Sequence, residues 1–235
     1  MFLSSPTAWQ SALLSVSEQA TNTVAVISAV AVVLLLAVIA VLCVQGKKRY
    51  DAKRIALAGI TLGLSFALSF VKVSPVTSGG SVTLASMVPL LIYAYFYGVR
   101  DGLLVGVCFG LLNFISGPWI LTPLTFLLDY PLAYGSIALM GLGKKIAQNP
   151  VAQVAIGVLL VYALRFLFHF LSGAIYFMEN SIWVEFPDWA LQGPFIYSFI
   201  YQCLYLPLDM IISLTVLLVL SKTRTLERLQ AFMKK

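Results

Sequence analysis

The sequence predicts an all-α integral membrane protein, a six-helix core preceded by one extra N-terminal transmembrane helix. Three observations predict it. Of 235 residues, 60% are hydrophobic and 10% charged, with a mean hydropathy of +0.96, a composition that would aggregate in a water-soluble domain. Apolar runs near the ~20 residues that cross a bilayer recur along the chain. The basic residues gather in alternate connections between those runs. The net charge of +6, from 15 basic and 9 acidic residues, therefore speaks for one membrane face rather than for nucleic acid.

Residues 1–23 are polar and rich in small residues. The first apolar run is Val24–Val44. No positive segment precedes it and no small-residue cleavage site follows it, so a retained helix over 24–46 is expected, not a signal peptide. After "KKRYDAKR" (47–54), the core spans are expected at 55–73, 83–98, 102–117, 123–143, 151–178 and 195–220, followed by a basic tail over 222–235. "YGVRDG" (97–102) joins two short spans by a tight polar turn. Cys43, Cys108 and Cys203 each lie inside an apolar run, which is neither a disulfide framework nor a metal site.

With this span count, Lys47, Lys48, Arg49, Lys53, Arg54, Arg100, Lys144, Lys145, Lys222, Arg224, Arg228, Lys234 and Lys235 fall on one side, and Lys72 lies near the other. The positive-inside rule makes the first side cytoplasmic, with the N-terminus outside and the C-terminus inside. The connection over 178–193 is then external, with Glu179, Glu185 and Asp188, and with Trp183 and Trp189 as interface anchors.

Four ionisable groups fall inside spans: Asp129, Arg165, His169 and Asp209. Such residues are rare in hydrocarbon and face a cavity or one another. Asp129 lies about 9 Å below the outer end of its helix and His169 roughly 13 Å below that of its own, while Arg165 is one turn deeper on the same face. All three can line one pocket open to the exterior. An Asp129–Arg165 ion pair that only fixes helix packing stays open, as does a hydrogen-bonded core role for His169. Asp209 shares a stripe with Gln202 and Tyr205, which favours packing or a hydrogen bond between helices. Trp119, Tyr130, Phe177, Tyr197 and Tyr201 lie at the level of the pocket. Aromatic rings beside a carboxylate suit a flat cation, although such rings also serve as core or interface belt.

Catalytic signatures are missing. The chain has a single histidine, so no His-Glu-x-x-His site, and no Gly-x-Ser-x-Gly elbow. "GLGKK" (141–145) lacks the spacing and the Ser/Thr of a phosphate loop. The chain is not expected to be an enzyme, to bind a metal or cofactor, or to hydrolyse ATP by itself.

The blocks "GGSVTLASMVPLLIYAYFYGVRDGLLVGVCFGLLNFISGPW", "LLDYPLAYGSIALMGL", "LRFLFHFLSGAIYF" and "YSFIYQCLYLPLDMII", in this order between about residues 53 and 221, resemble the thiamine-specific S-components of energy-coupling-factor (ECF) transporters, the ThiT/YuaJ family. The resemblance implies a six-helix S-component domain over 53–221 in the cell membrane. Such a domain would bind thiamine from outside and work with a transmembrane coupling subunit and two ATPases that use the ATP. It also implies the ligand-binding set. Asp129 stands where the family has Glu or Asp before Tyr, and Tyr130 follows. His169 matches the family's helix-five histidine, with Arg165 at a basic position four residues earlier. Trp119, Phe177 and Tyr197 align with aromatic positions, and Gln202 stands where Asn is usual. A second acid found in some members is replaced by Thr83 and Leu84. The helix at 24–46 is an addition. Gly59-x-x-x-Gly63 offers a small-residue face for the coupling subunit, with ordinary packing inside the chain as the other reading. Other readings are an S-component for hydroxymethylpyrimidine or another vitamin precursor, a stand-alone proton- or ion-coupled carrier, and a ligand-free assembly protein.

Overall fold

The computed structural model describes residues 52–73, 80–117, 120–178, 186–187, 189 and 191–234. The polar segment 1–23, the helix expected at 24–46, Trp119, Trp183, Glu179, Glu185 and Asp188 lie outside the described residues. The helices are α1 (Ala52–Ser69), α2 (Met87–Tyr97), α3 (Val99–Ser116), α4 (Pro123–Ile146), α5 (Pro150–Met178), α6 (Pro194–Lys222) and α7 (Thr225–Lys234). Helices α1, α3, α4, α5 and α6 are long and apolar enough to cross a membrane, and α2 is a shorter apolar helix.

Two features depart from the expected spans. The region after α1 does not continue as helix: β1 (Lys72–Val73) and β2 (Val82–Thr83) pair antiparallel, Lys72 opposite Thr83. β-branched residues there suit a short extended pair more than another helical turn. The expected basic tail contains a further helix, α7, which starts after Arg224 turns the chain with a φ of 56°.

Helix α2 is buried along most of its length, as an apolar helix without a polar face must be. It packs with α3, α4 and α5 in a core that includes Leu90, Phe109, Ile137, Val158 and Leu217. Helix α1 is its opposite, with Ser65 its one buried residue. Arg54 and Asp101, Lys53 and the Phe232 carbonyl, and Lys144 above the Tyr95 ring lie together. The basic residues at the start of α1 and α3 and at the end of α4 and α6 thus share one end of the bundle.

Helix α4 is not a regular α-helix. Thr122 caps it, its hydroxyl accepting from the Thr125 amide, with Pro123 in the first turn; proline's missing N–H costs nothing there. A π-helical turn follows at Leu128–Leu132 with Pro131 inside it, then a 3-10 stretch at Ser136–Leu142. Proline removes a donor and its ring collides with the preceding turn, so the regular ladder cannot pass through. Helix α3 covers the resulting carbonyls at close range. A Cβ on Gly106 or Gly110 would strike the carbonyl oxygen of Tyr134 or Tyr130, so only glycine admits this approach.

Candidate functional site

The π-helical turn places Asp129 on the inner side of α4, against α5. Its Oδ1 lies 2.8 Å from His169 Nδ1, and its Oδ2 accepts from the Ser172 hydroxyl at 2.6 Å. Asp129 and His169 thus meet at one depth, as their span positions predict. With His169 neutral, Nδ1–H donates to the carboxylate and Nε2 is an acceptor. That Nε2 is buried and has no hydrogen-bond partner among the described residues.

One turn deeper, Arg165 does not reach Asp129. Its Nη1 donates to Asp209 Oδ2 at 2.9 Å. The guanidinium lies 4.8 Å from the centre of the Tyr134 ring. Asp209 Oδ2 also accepts from the Tyr162 hydroxyl at 2.9 Å, and Oδ1 accepts from Thr83 at 3.2 Å. The packing-only pairing of Asp129 with Arg165 is therefore overturned. Arg165 is neutralised from α6, and Thr83 contributes its hydroxyl to that acid. Asp209 does make the hydrogen bonds between helices that its stripe with Gln202 and Tyr205 suggests. All three residues of the stripe are buried.

Helices α5 and α6 approach closely at Gly173, where a Cβ would strike the Ser198 hydroxyl. This brings Gln202 Nε2 to 3.0 Å from the His169 carbonyl, and Tyr205 donates to Gln202 Oε1 at 2.6 Å. The Gly80 amide, just ahead of β2, donates to the Tyr201 hydroxyl at 2.6 Å. These elements enclose a cavity of about 310 Å³, at the lower edge of the range for small-molecule sites. Asp129, Tyr130, Arg165, His169 and Gln202 line it, as do Thr83, Tyr134, Ser172, Tyr201 and Tyr205. Lys72, Asn113 and Ser116 also line it, at the end of the bundle away from the basic cluster.

The remaining predicted residues are placed differently. Phe177 and Tyr197 pack against each other with ring centres 5.2 Å apart. They are not among the described residues that line the cavity. Tyr197 stacks on Tyr201 at 6.2 Å and so backs a wall of the cavity. Gly59 and Gly63 are exposed, and an added Cβ would meet nothing within 4 Å at either. This glycine face is not used for packing among the described residues. Ser172 was not anticipated, although it lies three residues from His169 and hence on its helical face.

The charges balance unequally. Arg165 and Asp209 cancel. Asp129 contacts His169 and Ser172, and no lysine or arginine pairs with it among the described residues. No group of three or more His, Cys, Asp or Glu that could hold a metal is present among the described residues. A polar cavity inside a bundle of apolar helices is the arrangement of a multi-pass membrane protein. The family described as thiamine transporter protein (Thia_YuaJ) matches residues 55–228, and the chain belongs to this family, which is not enzymatic. A relative called thiamine transporter ThiT, from Bacillus subtilis (strain 168), is 31% identical over 161 residues, covering 62% of this chain and 77% of its own length. A solved structure of ThiT from Listeria monocytogenes has the same fold, with a TM-score of 0.62 and 20% identity over 74% of this chain and 96% of its own.

Proposed function

We propose that this chain is the substrate-binding S-component of an ECF-type importer, that its cavity holds thiamine, and that a coupling subunit and two ATPases supply the energy. The observation that carries the ligand assignment is the Asp129 carboxylate, fixed by His169 and Ser172 and paired with no lysine or arginine among the described residues. Thiamine brings a permanent thiazolium charge and a flat aminopyrimidine. The carboxylate matches the charge once water has been shed. Tyr130, Tyr201 and Tyr205 offer faces and edges for the rings. His169 Nε2 accepts an N–H from the ligand, and Gln202 holds the histidine's backbone in place. Arg165 and Trp119 complete the proposed set, and Phe177 and Tyr197 support it from behind Tyr201. This chain binds no cofactor, and the ATP is used by the partners.

The same reading orients the protein. The cavity opens at the end away from the basic cluster, so the positive-inside rule makes it external, with the N-terminus outside and the C-terminus cytoplasmic. Residues 53–221 form the S-component domain in this reading, preceded by the further span that the sequence predicts at 24–46. Gly59 and Gly63 on the exposed face of α1 provide a close-packing seam for the coupling subunit.

Calorimetric titration of the purified protein with thiamine tests the ligand, with hydroxymethylpyrimidine as the comparison. Preferred binding of the precursor would replace thiamine as the substrate. Uptake that persists without the coupling ATPases would replace the ECF mechanism with a stand-alone carrier.

A further inference from the structure

Helix α7 has no part in ligand binding. We propose that it is an interfacial helix that seats the basic end of the bundle on an anionic lipid surface. Two independent observations carry this: its course and its pattern of exposure.

At the end of α6, the Thr223 hydroxyl donates to the Val219 carbonyl at 2.8 Å, and Arg224 reverses the chain with its positive φ. Helix α7 then runs to the start of α1, where Lys53 Nζ donates to the Phe232 carbonyl at 3.0 Å and lies 5.4 Å from its ring. A helix that leaves the end of one span and reaches the end of another lies across the bundle. It covers about 10 Å from Thr225 to Phe232 at ~1.5 Å per residue. Since the spans cross the membrane, α7 runs along its surface.

Its residues are sorted to match. Leu226 is 4% exposed and joins the core. Leu229 and Phe232, at three-residue steps on the same apolar edge, are 36% and 66% exposed. Ile55, two residues after Lys53 on α1, is 60% exposed. Arg228 is exposed on α7, Arg224 in the turn just before it, and Lys222 and Lys145 at the neighbouring helix ends. Water disfavours the exposed Phe232 and Leu229, and hydrocarbon disfavours Arg228. The headgroup boundary accommodates both, which is the pattern of a helix lying in an interface. Charge selects the lipid. Glu227 is the acid on α7, and Asp101 at this end is held by Arg54, so cations dominate and anionic headgroups complement them.

Amide hydrogen exchange over residues 225–232 of the full-length protein tests the proposal. It is measured in nanodiscs of phosphatidylcholine alone and in nanodiscs with a one-third share of phosphatidylglycerol. The anionic discs should slow exchange about tenfold. Phe232→Glu should remove protection in both lipids. Arg224→Glu combined with Arg228→Glu should remove only the difference between them. Equal exchange in the two lipids would overturn the proposal. Protection that appears only on adding the coupling complex would also overturn it, and would make α7 a protein-docking element. Thiamine affinity, read in the same discs, should not change in any variant, which keeps this result separate from the cavity assignment.

Discussion

Asn at position 129 keeps the size of the side chain and one acceptor but removes the charge that the cavity offers a cation. The structure allows the magnitude to be worked out. A unit charge about 4 Å from the carboxylate, at the effective dielectric of ~20 found for such sites, interacts by about 4 kcal/mol. The Asp129 side chain is 18% exposed, and water at the cavity mouth screens part of this. A loss of roughly 1.5–4 kcal/mol remains, or about 10- to 1000-fold in affinity. The assay is calorimetric titration with thiamine, beside thermal unfolding of the same preparation. Folding should be nearly unaffected, because Arg165 draws its counter-charge from Asp209 and not from Asp129. Asp129→Asn combined with Arg165→Gln should recover neither stability nor binding relative to Asp129→Asn. A well-folded Asp129→Asn protein with unchanged thiamine affinity would refute the reasoning, and with it the assignment of this cavity to the vitamin.

Asp209→Asn should behave in the opposite way. It leaves a buried guanidinium uncompensated and should cost about 3–5 kcal/mol of stability, seen in thermal unfolding, while Arg165→Gln in the same chain restores much of it. Ser172→Ala removes a donor to Asp129 without emptying space and should weaken thiamine binding about 3- to 30-fold with little change in melting temperature, read by titration. Gly59→Leu and Gly63→Leu add side chains where nothing in this chain is touched, so thiamine binding should survive while co-purification with the coupling subunit falls. In a background without Cys43, Cys108 and Cys203, cysteine at Lys72 should be labelled from the outside and cysteine at Lys222 from the cytoplasm, and labelling of both from one side would overturn the orientation.

Much of the fold was legible in the sequence because its causes are local. Apolar length marks the spans, and the basic residues mark one end of the bundle whatever the packing inside. The cost of an ionisable group in hydrocarbon singled out Asp129, Arg165, His169 and Asp209 before any contact was known. The i, i+4 spacing put Arg165 and His169 on one face. What local rules cannot supply is the relative rotation of separate helices. Arg165 had two acids within reach of its depth, on α4 and on α6, and periodicity ranks neither. The π-helical turn around Pro131 rotates Asp129 toward His169 and Ser172. The close approach of α5 and α6 at Gly173 belongs to the packing that leaves Asp209 to the arginine. The same holds for the aromatics: Tyr134 and Tyr205 reach the cavity, while Phe177 and Tyr197 turn toward each other, because a ring's helical position fixes its height but its neighbours fix its direction. The sequence by itself determined which groups must find partners. Only the tertiary structure decided the pairing, because it depends on how helices distant in the chain are rotated and pressed together.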